Sequence, residues 1–436
     1  LIQELKNYSE VINMAEMKDS GIEWIGEIPE DWDVIRCKYI STFLNGYAFD
    51  SKDLQMDFMY PVIRIGDIKN GGIDTINCQG VNNNYDIKDY LIKENDILLA
   101  MSGATVGKVG IAHNIENAYI NQRVGIIRTD CPSYLFYCLS TKEFVEYILL
   151  CANGSAQPNV SADVYREFSI PLPPKEIKIK IADFLDEKCI EIDTLHSDIE
   201  KQIETLEKYK KSIITEAVTR GLDQDVEMKD SGSVYWKDIP ANWKLSDIKY
   251  LFEIVKRIAG KEGYDILSVT QKGLKIKDIS RNEGQIAESY ANYQFVYPTD
   301  YVMNHMDLLT GWVDCSKYFG VTSPDYRVFR LKDKKNNLNY YKYIMQCCYM
   351  DRIFYSLGQG VSNLGRWRLQ TESFNNFQIP VPPAKEQEQI AKYLDEKCIE
   401  IENIILDKQQ QLETLEQYKK SLIYEYVTGK KEVSNE

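Results

Sequence analysis

The chain, 436 residues long, states most of its framework twice. Met17-Lys18-Asp19-Ser20-Gly21, followed by Ile28-Pro29 and Trp32, returns as Met228-Lys229-Asp230-Ser231-Gly232 with Ile239-Pro240 and Trp243. Further on, Ile181-Ala182 and Leu185-Asp186-Glu187-Lys188-Cys189-Ile190-Glu191-Ile192 return as Ile390-Ala391 and Leu394-Asp395-Glu396-Lys397-Cys398-Ile399-Glu400-Ile401. Both offsets are about 210 residues, far beyond the roughly 20–50 residue periods of solenoids. A repeat of this length is a whole domain with a helix attached, so the chain is expected to fold as two similar halves. Between the repeated blocks the two sequences do not match by eye. Two constant frames with two variable inserts predict one scaffold that presents two different readers.

The second repeated block predicts long helices. Pro171, Pro173 and Pro174 close a strand-like stretch and allow a helix to begin just after them. Apolar residues then recur at Ile181, Leu185, Ile192, Leu195, Ile199, Leu206, Tyr209 and Ile213, with Lys188 and Gln202 as misfits. Steps of three, four or seven predict a single helix over 175–219, stopped by Gly221. The second copy offers Ile390, Leu394, Ile401, Ile404, Leu415, Tyr418 and Leu422, with Lys397, Lys408 and Gln411 as misfits. Each seam is too narrow to be buried alone, so the helices are expected to pack on each other. Because each is followed by a new domain or by the chain end, they are expected to run antiparallel, with a pseudo-twofold relating the halves. A helix of about 40 residues is about 60 Å long, and B-DNA rises 3.4 Å per base pair. Such a coiled-coil spacer could hold two readers more than one helical turn apart.

The inserts read as mixed structure, mainly strands with helices, which makes the fold class α+β. In the first, the strand-like run from Tyr60 to Ile68 precedes the turn signal Asn70-Gly71-Gly72. Asp96-Ile97-Leu98-Leu99-Ala100-Met101 leads into Ser102-Gly103-Ala104-Thr105-Val106-Gly107-Lys108. That segment is one residue short of a phosphate-binding loop and has Val109 where the loop needs a hydroxyl. A glycine-rich turn between two strands, with Lys108 near the surface, is the expected structure. The second insert contains Tyr301-Val302-Met303-Asn304-His305-Met306 and a loop from Gly358 to Arg368 rich in Gly, Asn, Gln and Arg. Amides and guanidinium groups of this kind can read base edges through bidentate pairs. Gly154 to Asn159 occupies the corresponding place in the first half.

Composition removes several function classes. No apolar run approaches the roughly 18 residues that span a bilayer, and no signal peptide opens the chain. Ten cysteines include no Cys-x-x-Cys pair, and with three histidines a zinc site is not expected. A reducing cytoplasm fits this usage. No dinucleotide fingerprint, nucleophile elbow, His-Glu-x-x-His, base-methylation pocket motif or nuclease carboxylate cluster is present, so no catalytic role is expected. A net charge of −14 argues against nucleic acid at first sight. Its distribution softens that objection. Residues 17–169 carry about −8 and residues 228–378 about +5, and global charge does not fix the sign of a local groove.

From residue 17 to about 430 the chain resembles the DNA-specificity subunit of type I restriction–modification systems. The resemblance rests on Trp24-Ile25-Gly26-Glu27-Ile28-Pro29 with Trp32, on Pro61-Val62-Ile63-Arg64-Ile65-Gly66-Asp67-Ile68, on Asp96-Ile97-Leu98 with Ser102 to Lys108, and on Ile379-Pro380-Val381-Pro382-Pro383 with Glu386-Gln387. The repeated helices complete it. Where the second copy has Glu386-Gln387 the first departs with Glu176-Ile177.

Residues 1–16, an N-terminal extension, fall outside the resemblance and are given no role. The resemblance implies a target-recognition domain over 17–169 and a helical spacer over 170–227. A second recognition domain over 228–378 and a second spacer over 379–436 follow. It implies a non-catalytic reader of a bipartite double-stranded DNA target, one half-site per domain. The implied partners are two methyltransferase subunits, which methylate adenine N6, and two restriction subunits. S-adenosylmethionine, ATP and Mg would serve those partners, and this chain would bind no cofactor. The DNA-contacting candidates are Ser102, Lys108, Gln122, Arg123, Gln157 and Asn159 in the first half. In the second they are Lys272, Lys275, Asn304, Ser323, Arg327, Asn363, Arg366 and Arg368. A coiled-coil adaptor that binds other proteins is the rival reading, and a silent recombining cassette would look the same in sequence.

Overall fold

The computed structural model describes residues 16–69, 71–82, 87–115, 117–152, 160–278, 289–360 and 367–433. The chain divides into two compact units, Leu1–Ile199 with Gln410–Glu436 and Glu200–Gln409, so each boundary falls inside a long helix.

In the first unit the strand-like runs become β1 (Asp33–Arg36), β2 (Ser41–Asn45), β3 (Tyr60–Ile63), β4 (Gln79–Val81), β5 (Ile97–Ala100), β6 (Val109–Ile111), β7 (Tyr119–Ile120) and β8 (Val124–Thr129). Four of them form an antiparallel sheet in the order β6-β5-β8-β2. Every residue of β5 and the first four of β8 are buried. That explains why these strands read as unbroken apolar runs rather than as an alternation. Gly125 sits where a side chain would strike Phe43, since an added Cβ would lie 2.1 Å from its Cζ. A second sheet has the order β7-β3-β4, with β7 parallel to β3. Helices α1 (Pro132–Leu139) and α2 (Ala162–Glu167) follow, then β9 (Ser169–Leu172), which pairs with β1, and α3 (Lys175–Arg220).

The second unit repeats this plan with unlike residues. Its strands are β10 (Lys244–Asp247), β11 (Phe252–Val255), β12 (Leu267–Thr270), β13 (Gly273–Ile276), β14 (Gln294–Val296), β15 (Tyr301–Met303), β16 (Val313–Cys315), β17 (Gly320–Thr322) and β18 (Arg327–Leu331). Helices α4 (Leu338–Met350) and α5 (Thr371–Asn376), strand β19 (Gln378–Val381) and helix α6 (Ala384–Val427) complete the chain. The four-stranded order is β16-β15-β18-β11, the same as in the first unit. A parallel bridge between Ile266 and Val321 stands where β3 and β7 pair, and β10 pairs with β19 as β1 does with β9. The inserts that do not match by eye therefore share one topology.

Buried aspartates mark the equivalence. Asp96 and Asp300 each precede the central strand and are 3% exposed. Each accepts the amide three residues back, from Lys93 and Tyr297 respectively, at 2.8 Å. Arg128 completes the first at 2.9 Å, and Arg257 the second at 2.8 Å. A buried carboxylate requires such partners, because an unpaired charge in the interior is very costly.

Each long helix is held to its domain by a tyrosine pair one helical turn apart. In the first unit Tyr134 donates to Pro171 O at 3.0 Å and Val427 O at 3.2 Å, while Tyr137 donates to Asp186 Oδ1 at 2.7 Å. In the second, Tyr340 donates to Pro380 O at 3.0 Å and Val218 O at 3.5 Å, while Tyr343 donates to Asp395 Oδ1 at 2.7 Å. Two tryptophans add a matching clasp, from Trp24 Nε1 to Ser169 O and from Trp236 Nε1 to Gln378 O.

Within each unit the segments of α3 and α6 run antiparallel. Phe184 meets Tyr426 with ring centroids 4.5 Å apart, and Asp193 pairs with Lys419 at 2.6 Å, in the first unit. In the second, Gln202 accepts from Lys408 at 2.5 Å, and Lys210 pairs with Glu402. Two seam misfits thus satisfy each other. Ile181, Leu185, Ile192, Ile199, Ile390, Leu394, Ile401, Leu415 and Leu422 are buried as the periodicity requires, and Leu195 and Leu206 are half-buried.

Two seam assignments are corrected. Ile404 is 39% exposed and Ile405 packs inward in its place. At 3.6 residues per turn, position 405 lies about 40° from the direction of Ile401, whereas position 404 lies about 60° away on the other side. Tyr209 is 52% exposed, and the buried stripe resumes at Ile213 and Ile214. Gly221 at φ +79° and Gly429 at φ +70° close the two helices, a conformation that costs glycine no Cβ strain. No described helix is long and apolar enough to cross a membrane.

Candidate nucleic-acid interface

The central strand of each four-stranded sheet ends at a meeting point of three segments. In the first unit Met101 N donates to Arg123 O at 2.9 Å, and Val160 N donates to Met101 O at 2.9 Å. This joins the glycine-rich loop after β5, the turn before β8, and the segment entering α2. The loop is a 3-10 turn over Gly103–Thr105 between two strands, as its sequence predicts. Its shape needs glycine at Gly103 (φ +75°) and Gly107 (φ +84°), where a side chain would be strained. Lys108, Gln122 and Arg123 are exposed at this end.

In the second unit the loop after β15 meets the segment entering α5 through the backbone, and β18 joins them through the Arg327 side chain, which donates to Leu369 O. Leu369 N donates to His305 O at 3.0 Å, and Leu308 N to Trp367 O at 3.2 Å. Asn304 is half-buried, its Oδ1 accepting from Met306 N at 3.3 Å and its carbonyl from Tyr349 Oη at 2.8 Å. Ser323 begins the turn before β18, and its carbonyl accepts from Gln294 Nε2 at 2.9 Å. Arg368 is half-buried, with Nε directed at Met306 Sδ and its backbone paired with Gln359. Lys272 and Lys275 are exposed on the β12–β13 hairpin, whose tip touches the loop after β15 through Gln271 Nε2 and Thr310 O at 3.5 Å.

Two candidates are corrected by burial. Arg327 is 4% exposed, stacked over Phe374 at 4.5 Å and donating to Leu369 O at 3.1 Å and Thr371 Oγ1 at 3.3 Å. Burial lowers its pKa to about 10, which still leaves a cation at neutral pH. Its guanidinium is committed to holding the α5 entry segment and cannot reach a base edge without unpacking the core. Ser102 is 7% exposed, and its hydroxyl has no partner among the described residues. Gln157, Asn159, Asn363 and Arg366 lie outside the described residues.

His305 sits among these groups with Nδ1 buried and without a described partner. Burial first, then the charges of Arg327 and Arg368, push its pKa down to about 3. It is therefore neutral in this cationic corner. Among the described residues no group of three His, Cys, Asp or Glu side chains is placed to hold a metal ion.

Heptad periodicity flags neither the tyrosine pairs nor the aspartate–arginine pairs. Tyr134 with Tyr137 recurs as Tyr340 with Tyr343 at an offset of 206 residues, which is a signal. Asp96 and Asp300 are 204 apart, and their partners Arg128 and Arg257 share no such offset. The arrangement offers exposed cations and amides on loops over a rigid sheet, a composition suited to contacting phosphates and base edges.

Residues 29–205 and 240–416 match the family model of the type I restriction modification DNA specificity domain. The type I restriction enzyme MjaVIII specificity subunit of Methanocaldococcus jannaschii is 25% identical over 429 residues, covering 94% of this chain and 95% of that one. The putative MjaX specificity subunit of the same organism is 27% identical over 439 residues, covering 93% and 95%. A solved chain described under the structural basis of complex assembly and conformational transition of the type I R-M system covers 92% of this chain and 98% of its own. It aligns with a TM-score of 0.66 at 13% identity, a likeness of fold.

Proposed function

The chain belongs to the type I restriction modification DNA specificity family, and from that premise we propose that it reads a bipartite duplex target, one half-site with each unit. As a DNA-specificity subunit it works within an assembly of restriction–modification subunits. Its proposed partners are two methyltransferase and two restriction subunits in the cytoplasm. S-adenosylmethionine, ATP and Mg are assigned to those partners, and this chain contributes recognition without catalysis.

The observation that carries this reading is the three-segment site built twice on one topology from unlike residues. One shared topology carries the loops, and different loop residues present different donors and acceptors to the groove. In the first unit Lys108, Gln122 and Arg123 are the proposed contacts, and in the second Lys272, Lys275, Asn304, Ser323 and Arg368. Exposed lysines at these loops contact phosphates, whereas Arg, Asn and Gln are suited to bidentate base pairs.

The test is a methylation map. The chain is co-expressed with a methyltransferase subunit of its own system, in a host without adenine methylation, and the genome is sequenced with modification-sensitive long reads. A new two-part motif with adenine methylated on both strands is expected. A stable complex that leaves the genome unmodified would overturn an active specificity role, and failure to form a complex would favour a protein-binding adaptor.

A further inference from the structure

The outer face of the β14–β17 sheet in the second unit carries a cluster of aromatic rings that the three-segment site does not use. Phe295 stacks with Phe319 at 5.8 Å and 16°, and Tyr264 meets Phe295 at 4.9 Å. Tyr297 meets Phe319 at 5.2 Å. These rings are not sealed inside: Tyr297 is 42% exposed, Tyr318 41% and Phe319 46%. Cations frame them. Arg257 lies over Tyr297 at 4.8 Å, Lys261 over Tyr264 at 5.8 Å, and Lys256 and Lys317 are exposed in the same segments. Of the nearby acids, Asp300 is buried against Arg257, Glu262 holds Ser289 Oγ at 2.6 Å, and Asp265 is exposed at the edge.

The equivalent face of the first unit is closed. There β7 stands where β17 does, and Tyr119 on it is 1% exposed, with Phe49 at 9%. Leu54, Ile87, Tyr90 and Leu91 pack over them. Residues 17–169 carry about −8 against about +5 in residues 228–378, so only the second unit combines bare rings with a favourable field for a polyanion. A large exposed apolar patch rimmed by charge marks an interaction surface.

We propose that this aromatic and cationic face grips the sugar–phosphate backbone of duplex DNA without reading its sequence, an anchor that the first unit lacks. The proposal rests on the specificity-subunit reading and extends it to residues outside the reading loops. Tyr297 precedes Asn304 by seven residues across β15, a span of at most about 25 Å, shorter than one turn of duplex DNA at roughly 34 Å. Lysines on the rim neutralise phosphates, and the rings cover deoxyribose faces. Contacts of this kind position a protein on DNA but carry no sequence information.

The test uses the full chain in complex with its methyltransferase subunit and a duplex of scrambled sequence, with dissociation constants measured across a salt series. Replacing Lys261→Ala and Lys317→Ala together should reduce the slope of log affinity against log salt by about 1.8, at about 0.9 per phosphate contact. Tyr297→Ala with Phe319→Ala should weaken scrambled and cognate duplexes alike, by about threefold to tenfold. Both variants should leave the methylated motif unchanged, and Lys52→Ala, on the closed face of the first unit, should leave the slope unchanged. An unaltered slope in the lysine variant overturns the anchor, as does weakening by the aromatic variant confined to the cognate duplex. Intact DNA binding with lost methyltransferase assembly would instead mark a protein-docking face. A wild-type complex with no affinity for any duplex would refute the specificity-subunit reading itself, a separate result.

Discussion

Arg123 stands one residue before β8 and is exposed, whereas Arg327 opens β18 and is 4% exposed. Opposite consequences follow. Arg327→Ala leaves Leu369 O and Thr371 Oγ1 without their donor and should destabilise the protein by about 2–3 kcal/mol, measured by denaturant unfolding. The methylated motif of the surviving protein should not change. Arg123→Ala should alter stability by less than about 0.5 kcal/mol and cost about 1–3 kcal/mol of DNA affinity, relaxing one base position if it reads a base. His305 supplies a pH test. The unfolded imidazole titrates near 6.5, and the folded one near 3. Between these values the unfolded chain binds a proton that the folded chain refuses, so stability falls as pH drops below about 6.5. His305→Gln should narrow the difference between urea midpoints at pH 7.5 and pH 5. An unchanged difference would show that His305 does not contribute.

At the scale of elements, the long helices test where the seam lies. Leu394 is fully buried, and Leu394→Ala should cost about 2–5 kcal/mol through lost contacts and a residual cavity. Ile404→Ala, on the exposed side of the same helix, should change stability by less than about 0.5 kcal/mol. Equal costs for the two would refute the observed register. The prolines, Gly221 and the apolar periodicity gave the first helix nearly to the residue, 175–219 against Lys175–Arg220, and periodicity gave the second as a repeat of it. It could not choose between Ile404 and Ile405, since adjacent isoleucines both lie near the seam and the partner helix decides. The strands were legible only as apolar runs. Pairing order depends on residues far apart in sequence, and nothing local to β5 or β15 announces that each sits at the same place in its sheet.

At the scale of the whole molecule, the charge is the governing quantity. With a net −14, the isolated chain should bind scrambled duplex weakly, with a shallow salt slope. If the proposed methyltransferase partners add phosphate contacts of their own, affinity and slope should both rise in the complex. Tight binding by the isolated chain at physiological salt would refute this division of labour.

The sequence by itself determined the duplication, the two long helices, the stop at Gly221 and the family resemblance, since each depends on residue identity at fixed spacing. Of the candidate contacts, it identified Lys108, Gln122 and Arg123 as polar residues in loops, but gave Arg327 and Ser102 the same standing. Only the tertiary structure separated them. Burial is set by what α5 and the segment before it lay over β18, and no local pattern around Arg327 encodes that cover. The same holds for the aromatic face of the second unit. Phe295 on β14 and Phe319 just before β17 are ordinary residues in sequence, and they become a surface feature because, among the described residues, no counterpart of the Leu54–Tyr90 roof of the first unit packs over them.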